Sequence, residues 1–110
     1  LAPSPEWRDS VEMLSTPLIR VNAENQWGPG IGVQEIDGTT TIWHWGINYP
    51  TYESLMLGQP ETGNGLVVLM NGGPVMLTRG RARYAGLELA REIAARILPG
   101  GHGAYWHGIQ

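Results

Sequence analysis

One histidine near the end of a β-rich run is the residue best suited to chemistry in this chain. His44 lies in the run Thr39 to Pro50, directly before Trp45 and two residues before Gly46. Threonine, isoleucine and tryptophan favour a pleated strand, whereas Gly46 and the closing proline are expected to stop it. An imidazole can take or give a proton, and a glycine lets backbone approach a ligand. The run predicts an active-site edge; the commoner alternative for such a histidine is a packed structural residue.

The remaining polar residues offer weaker candidates for a site. His102 and His107 lie near the C-terminus and, with His44, could supply nitrogen ligands to a metal ion. Their spacing matches no standard metal site, so no metal is expected. The glycines from Gly28 to Gly32 do not follow a strand and open a helix, so no dinucleotide cofactor is expected. Ser54 has no neighbouring base in the sequence and is interpreted as an ordinary residue.

The composition excludes several functional classes. The chain has 110 residues, enough for one domain, and a net charge of −3. Its 7 basic residues are all arginines and are scattered, which gives no basic surface for nucleic acid. The absence of cysteine excludes disulfides and thiol chemistry. No apolar run approaches the length of a membrane span.

A short helix is predicted before the β-rich part of the chain. Ser4 is a suitable N-cap, and the proline that follows it suits the first helical position. The spacing predicts a helix over 5–14 that faces Trp7, Val11 and Leu14 inward. Residues 18–21 are expected to be extended, and residues 22–29 are expected to form a loop.

Four strands are predicted in the middle of the chain. Asp37 and Gly38 form a two-residue hairpin signal between strands over 30–36 and 39–45. A loop is expected over 46–52. A third strand is expected over 53–59, with Leu55 and Leu57 on one face and Met56 on the other. A fourth strand is expected over 66–70.

The C-terminal part of the sequence predicts one long helix. The helices predicted for the whole chain are too few to cover both faces of the sheet. Apolar residues recur at helical spacing over 82–98, and Pro99 stops the helix. The fourth strand is apolar from Leu66 to Met70, which is typical of a strand covered on both faces. One long and one short helix suffice for little more than one face of a sheet. The domain is therefore expected to pair with something or to belong to a larger protein.

Most of the chain resembles a known hydrolase family. The order and spacing of six segments carry this resemblance: Trp27–Val33, Trp43–Gly46, Tyr52–Leu57, Pro60–Gly63, Gly65–Asn71 and Leu89–Ile93. Together they resemble the C-terminal part of the penicillin-recognising serine hydrolases. That family includes class C β-lactamases, D-aminopeptidases, DD-peptidases and family VIII esterases.

The resemblance implies a fold and a set of site residues. It implies an α+β fold, with an antiparallel sheet of about four strands flanked by N- and C-terminal helices, as part of a β-lactamase-like α/β domain. His44, Trp45 and Gly46 resemble the third family motif, Lys-Thr-Gly or His-x-Gly, on the strand that borders the cleft. The resemblance makes His44 an electrostatic or proton-relay group, and the N–H of Ile47 part of the oxyanion hole. Trp45 and Asn48 would then contact substrate.

The chain also departs from the family pattern. It contains no lysine, no Ser-x-x-Lys motif and no Tyr-x-Asn motif. It is therefore expected to supply one wall of a catalytic cleft and to be inactive alone. Because its first residue is Leu1, we expect a processed chain or a fragment.

The sequence leaves two functional hypotheses. Residues 1–26 form a helix and lead-in, 27–98 the C-terminal part of a β-lactamase-like domain, and 99–110 a tail. In the first hypothesis the chain belongs to a serine hydrolase that cleaves a small amide or ester through an acyl-enzyme. Its partner is then the missing N-terminal part of the protein or another chain. The alternative is an autonomous, non-catalytic module that binds or dimerises.

Overall fold

A six-stranded antiparallel sheet with a helix at each end of the chain makes up most of the fold. The structure is a computed structural model that describes residues 4–77 and 82–103. The helices are α1 (Pro5–Ser15) and α2 (Ala85–Ile97). The strands, which follow one another across the sheet in chain order, are β1 (Ile19–Arg20), β2 (Gln26–Trp27), β3 (Gly32–Ile36), β4 (Thr39–Asn48), β5 (Tyr52–Gln59) and β6 (Asn64–Met70). Two further strands, β7 (Val75–Met76) and β8 (Ala82–Arg83), pair separately.

The α+β class and the flanking helices are confirmed, but the sheet has six strands rather than four. The two additional strands, β1 and β2, are each two residues long. Strand β1 lies in the segment predicted to be extended, whereas β2 lies in a predicted loop. Two residues cannot display the alternation by which a strand is recognised in a sequence, so only its pairing with β1 and β3 identifies β2.

The predicted hairpin between β3 and β4 is confirmed. Asp37 and Gly38 have φ angles of 52° and 74°, and Ile36 pairs with Thr39. Positive φ at both central residues is what a two-residue type I′ turn requires. The turn therefore sets the pairing register between β3 and β4.

Strand β4 is longer than the sequence predicts. It continues through Gly46 to Asn48, so the expected loop over 46–52 is wrong and the turn occupies only residues 49–51. Gly46 pairs with Ser54 of β5, so the ladder continues across a residue that has no side chain. The side chains of Trp45 and Ile47 pack against the core on either side of this glycine, which keeps the backbone extended.

The core lies between α2 and one face of the sheet, here called the inner face. It consists of Trp43, Leu55 and Leu57 from the sheet together with Leu87, Ala90, Ala94 and Leu98 from the C-terminal part. The helical spacing predicted for the long helix is confirmed at its buried positions, although the helix begins at Ala85 rather than at residue 82. It begins later because residues 82–83 form strand β8.

A buried carboxylate connects the sheet to the start of α2. Glu53 of β5 is buried, and its Oε2 accepts a hydrogen bond of 2.9 Å from the backbone N–H of Leu87. The first N–H groups of a helix have no partner within the helix, and a negative charge is favourable beside them. The same alternation that points Leu55 and Leu57 inward also points Glu53 inward. The bond between Glu53 and Leu87 was not predicted from the sequence.

The opposite face of the sheet, here called the outer face, is covered only in part by the described chain. Helix α1 lies near Thr40 of β4, but none of its residues is buried. Trp7, which was predicted to face inward, is 61% exposed. On β6, Val67 and Leu69 are 63% and 79% exposed. Residues 4–77 and 82–103 thus cover one face of β6, and the second layer expected from its sequence does not come from them.

We predict that Gly32→Ala destabilises the fold. Gly32 pairs with Trp43, whose indole ring occupies the space where a Cβ at position 32 would lie. The ring must move out of a packed core, and the expected loss in the free energy of unfolding is roughly 1–3 kcal/mol. Gly72→Ala is the matched control, because a Cβ there meets nothing within 4 Å. Chemical denaturation measures both, and equal midpoints for the two variants would contradict the packing described.

Candidate active-site edge

The second half of β4 has one paired edge and one open edge. On one side β5 pairs with β4 from Ile42 to Asn48. On the other side the pairing with β3 ends at Trp43. Within the described part of the chain, no strand pairs with His44–Asn48 on that side. The stretch that the sequence singles out therefore has no strand partner on its β3 side among the described residues.

The hairpin register determines which backbone groups point to that open edge. A two-residue hairpin is closed by a hydrogen-bonded pair, here Ile36 and Thr39. Such pairs alternate along an antiparallel ladder, so every second residue of β4 directs its N–H and C=O toward β3. Counting from Thr39, this set includes Trp45 and Ile47. Because β3 does not reach them, the backbone N–H of Ile47 points outward from the sheet.

The side chains of the candidate residues lie on two different faces. His44 and Asn48 are exposed on the outer face, as their positions in the β4 alternation require. Trp45 and Ile47 point to the inner face and pack against the core under α2. His44 and Asn48 therefore share a face but lie four residues, or about 13 Å, apart along the strand, with Gly46 between them. The side chain of Trp45 lies on the other side of the sheet.

Two further residues surround His44. The ring centroid of Trp27 lies 6.3 Å from that of His44 and 5.5 Å from that of Trp43, which it meets edge-on. Ser54 lies on the same face as His44, and its hydroxyl donates a hydrogen bond of 3.4 Å to the carbonyl oxygen of Gly46. No signal in the sequence paired Trp27 with His44, because the contact depends on the two-residue strand β2.

The geometry limits what this edge can do chemically. Among the described residues, no serine hydroxyl forms a hydrogen bond with His44. Nucleophilic catalysis requires a nucleophile within reach of an activating base. The edge offers an exposed imidazole and an outward backbone donor, and it therefore suits a supporting role toward a nucleophile from elsewhere.

The second candidate metal ligand, His102, lies apart from this edge. His102 lies beside Asp37, with 3.6 Å between Nε2 and Oδ2, near the hairpin end of β4. His107 lies outside the described residues. No group of three or more histidine, aspartate or glutamate side chains suited to a metal occurs in residues 4–77 and 82–103.

Comparison of the chain with protein-family models, with curated proteins and with solved structures finds no match. Neither helix of the described residues combines the length and the apolar character that crossing a membrane requires.

We predict an alternating pattern of amide exchange along β4. The N–H groups of His44 and Gly46 point to β5 and are bonded in the ladder, whereas those of Trp45 and Ile47 point to the open edge. The second pair should exchange at least about tenfold faster, a factor that corresponds to about 1.4 kcal/mol. Exchange followed by NMR on the full chain measures this. Equally slow exchange at all four residues would mean that the β3-side edge is covered.

Proposed function

We propose that this chain is the C-terminal segment of a serine hydrolase resembling class C β-lactamases, D-aminopeptidases and family VIII esterases. Its substrate is a small amide or ester, cleaved through an acyl-enzyme. The observation that carries the proposal is the open edge of β4, where the outward N–H of Ile47 follows an exposed His44 by three residues. The nucleophile comes from a part of the protein outside this chain.

The backbone of this edge suits an oxyanion hole. A backbone donor stabilises a developing oxyanion by a few kcal/mol when it is held in position before the reaction. Here β5 holds β4 on one side, and the side chains of Trp45 and Ile47 anchor it to the core beneath. In this proposal Trp45 acts by fixing the strand, while the outward N–H of Ile47 receives the oxyanion.

The outer face supplies the polar side chains of the proposed cleft wall. His44 acts as an electrostatic or proton-transfer group near the incoming nucleophile, a role worth roughly 10²–10⁴ in rate for general acid–base catalysis. Asn48 shares this face and is exposed at the end of β4, where it is available to substrate. Gly46 keeps the space between them open.

The first functional prediction concerns activity. The 110-residue chain alone should not hydrolyse p-nitrophenyl esters or a chromogenic cephalosporin above background, because it lacks an activated nucleophile. The longer protein should hydrolyse at least one of these substrates, and His44→Ala should lower kcat/KM by roughly 10²-fold or more. Glu92→Ala, an exposed residue of α2, is the control and should leave kcat/KM unchanged.

Two results would overturn this assignment. One is turnover by the isolated chain that survives repurification and disappears in His44→Ala. The other is an upstream reading frame without a Ser-x-x-Lys motif and a later Tyr-x-Asn motif. A start codon directly before Leu1 would favour the alternative, in which the chain is a complete binding module.

The open edge of β6 favours that alternative, an autonomous dimerising module. In the described residues β6 pairs only with β5, and the strand contains no proline or charged residue that would protect its unpaired edge. Its hydrogen-bonded pairs with β5 leave the backbone groups of Gly65, Val67 and Leu69 pointing outward. Such an edge is a template for another strand, which in the hydrolase proposal comes from the missing N-terminal part.

We therefore predict that the isolated chain associates through β6. Analytical ultracentrifugation should show a species larger than a monomer, and the amides of Val67 and Leu69 should be protected only in that species. Val67→Lys should shift the chain toward monomer, because a charge on an edge opposes strand addition. Val75→Lys, at another exposed strand valine, is the matched control. A wild-type monomer at high concentration would contradict the prediction.

A further inference from the structure

A polar cavity lies at the hairpin end of the sheet, away from the active-site edge. Its volume is about 520 Å³, within the range of small-molecule sites. It opens where β2 stops pairing with β3, between the segment that precedes β2 and the chain after α2. Its lining includes Arg20, Glu24, Gln34, Glu35 and His102. Thr41, which pairs with Gln34, is six residues from Ile47, or about 20 Å along the strand.

The cavity wall contains a buried acceptor to which no described residue forms a hydrogen bond. Gln34 is 1% exposed, and its side-chain Nε2 donates a hydrogen bond of 3.2 Å to the backbone oxygen of Glu24. That bond fixes the orientation of the amide. Its Oε1 has no hydrogen-bond partner among the described residues. A buried polar atom without a partner costs free energy, so a ligand that brings an N–H to this oxygen is favoured.

The neighbouring strand adds open backbone groups. The alternation that starts at Ile36 and Thr39 directs the N–H and C=O of Glu35 away from β4. Strand β2 begins at Gln26, opposite Val33, and therefore does not extend as far as Glu35. Glu35 therefore presents one backbone donor and one backbone acceptor to the cavity that it lines. An extended peptide unit satisfies both.

The charges around the cavity define one end of the ligand. Arg20 is exposed and forms no ion pair within the described chain. A guanidinium prefers a carboxylate or a phosphate. Glu24 and Glu35 place two carboxylates near the same space, which disfavours a highly charged phosphate. A single carboxylate on a ligand otherwise rich in N–H groups fits this arrangement.

We propose that this cavity binds a short extended peptide that ends in a free carboxylate. The peptide pairs with the backbone of Glu35, gives an N–H to Oε1 of Gln34, and places its carboxylate at Arg20. The proposal does not depend on hydrolase activity, because none of these residues belongs to the β4 edge.

The test is an NMR titration of the full chain with N-acetyl-glycylglycine, compared with its C-terminal amide and with a form N-methylated at the peptide nitrogens. The free acid should produce saturable shifts at the backbone amide of Glu35 and the side-chain amide of Gln34. Both the amidated and the N-methylated forms should bind at least about tenfold more weakly. These ligand changes leave the protein untouched, so folding cannot account for the difference.

The variants Arg20→Gln and Arg96→Gln complete the test. Arg20→Gln should weaken binding of the acid to the level of the amide and should abolish the difference between them. Arg96→Gln, on the exposed side of α2, should bind like the wild type. Absence of saturable shifts at millimolar ligand overturns the proposal. So does equal affinity for the acid and the amide, or an unchanged preference for the acid in Arg20→Gln.

Discussion

The two-residue turn at Asp37 and Gly38 sets the backbone pattern on which the functional edges depend. Its positive φ angles close the hairpin with a hydrogen-bonded pair, and hydrogen-bonded pairs then alternate along the ladder. The same alternation directs the N–H of Ile47 to the open edge of β4 and the backbone of Glu35 into the cavity. A one-residue slip of β3 against β4 would turn β3 over, so that the backbone of Glu35 would point to β4 and the side chains of β3 would move to the other face.

Packing on the inner face keeps that register fixed. Gly32 leaves room for the Trp43 indole, and Trp45 and Ile47 are held against the core on both sides of Gly46. The buried carboxylate of Glu53 receives the N–H of Leu87, which fixes the start of α2 against β5. The candidate residues thus divide into two groups. The side chains of Trp45 and Ile47 anchor β4 to the core on the inner face, whereas those of His44 and Asn48 are exposed on the outer face.

The sequence predicted the parts of the fold that have a strong local signal. The hairpin turn, the alternation of Leu55, Met56 and Leu57, and the spacing of the long helix all describe neighbours in the chain. It did not predict that β4 continues through Gly46, because the pairing with Ser54 that supports this glycine is not local. The exposure of Trp7 also escaped prediction, since helical periodicity shows which residues share a face but not how closely that face packs.

The sequence located the candidate edge, but it did not show which of its side chains face the core and which are exposed. Only the register shows that Trp45 points to the core while His44 and Asn48 point outward. Strands β4 and β6 lie on either side of β5, with their axes about 10 Å apart at normal strand spacing, and their open edges face in opposite directions. A strand added to β6 extends the sheet away from β4 and leaves the N–H of Ile47 free. Association through β6 and catalysis at β4 are therefore compatible, so finding a dimer would not exclude a hydrolase.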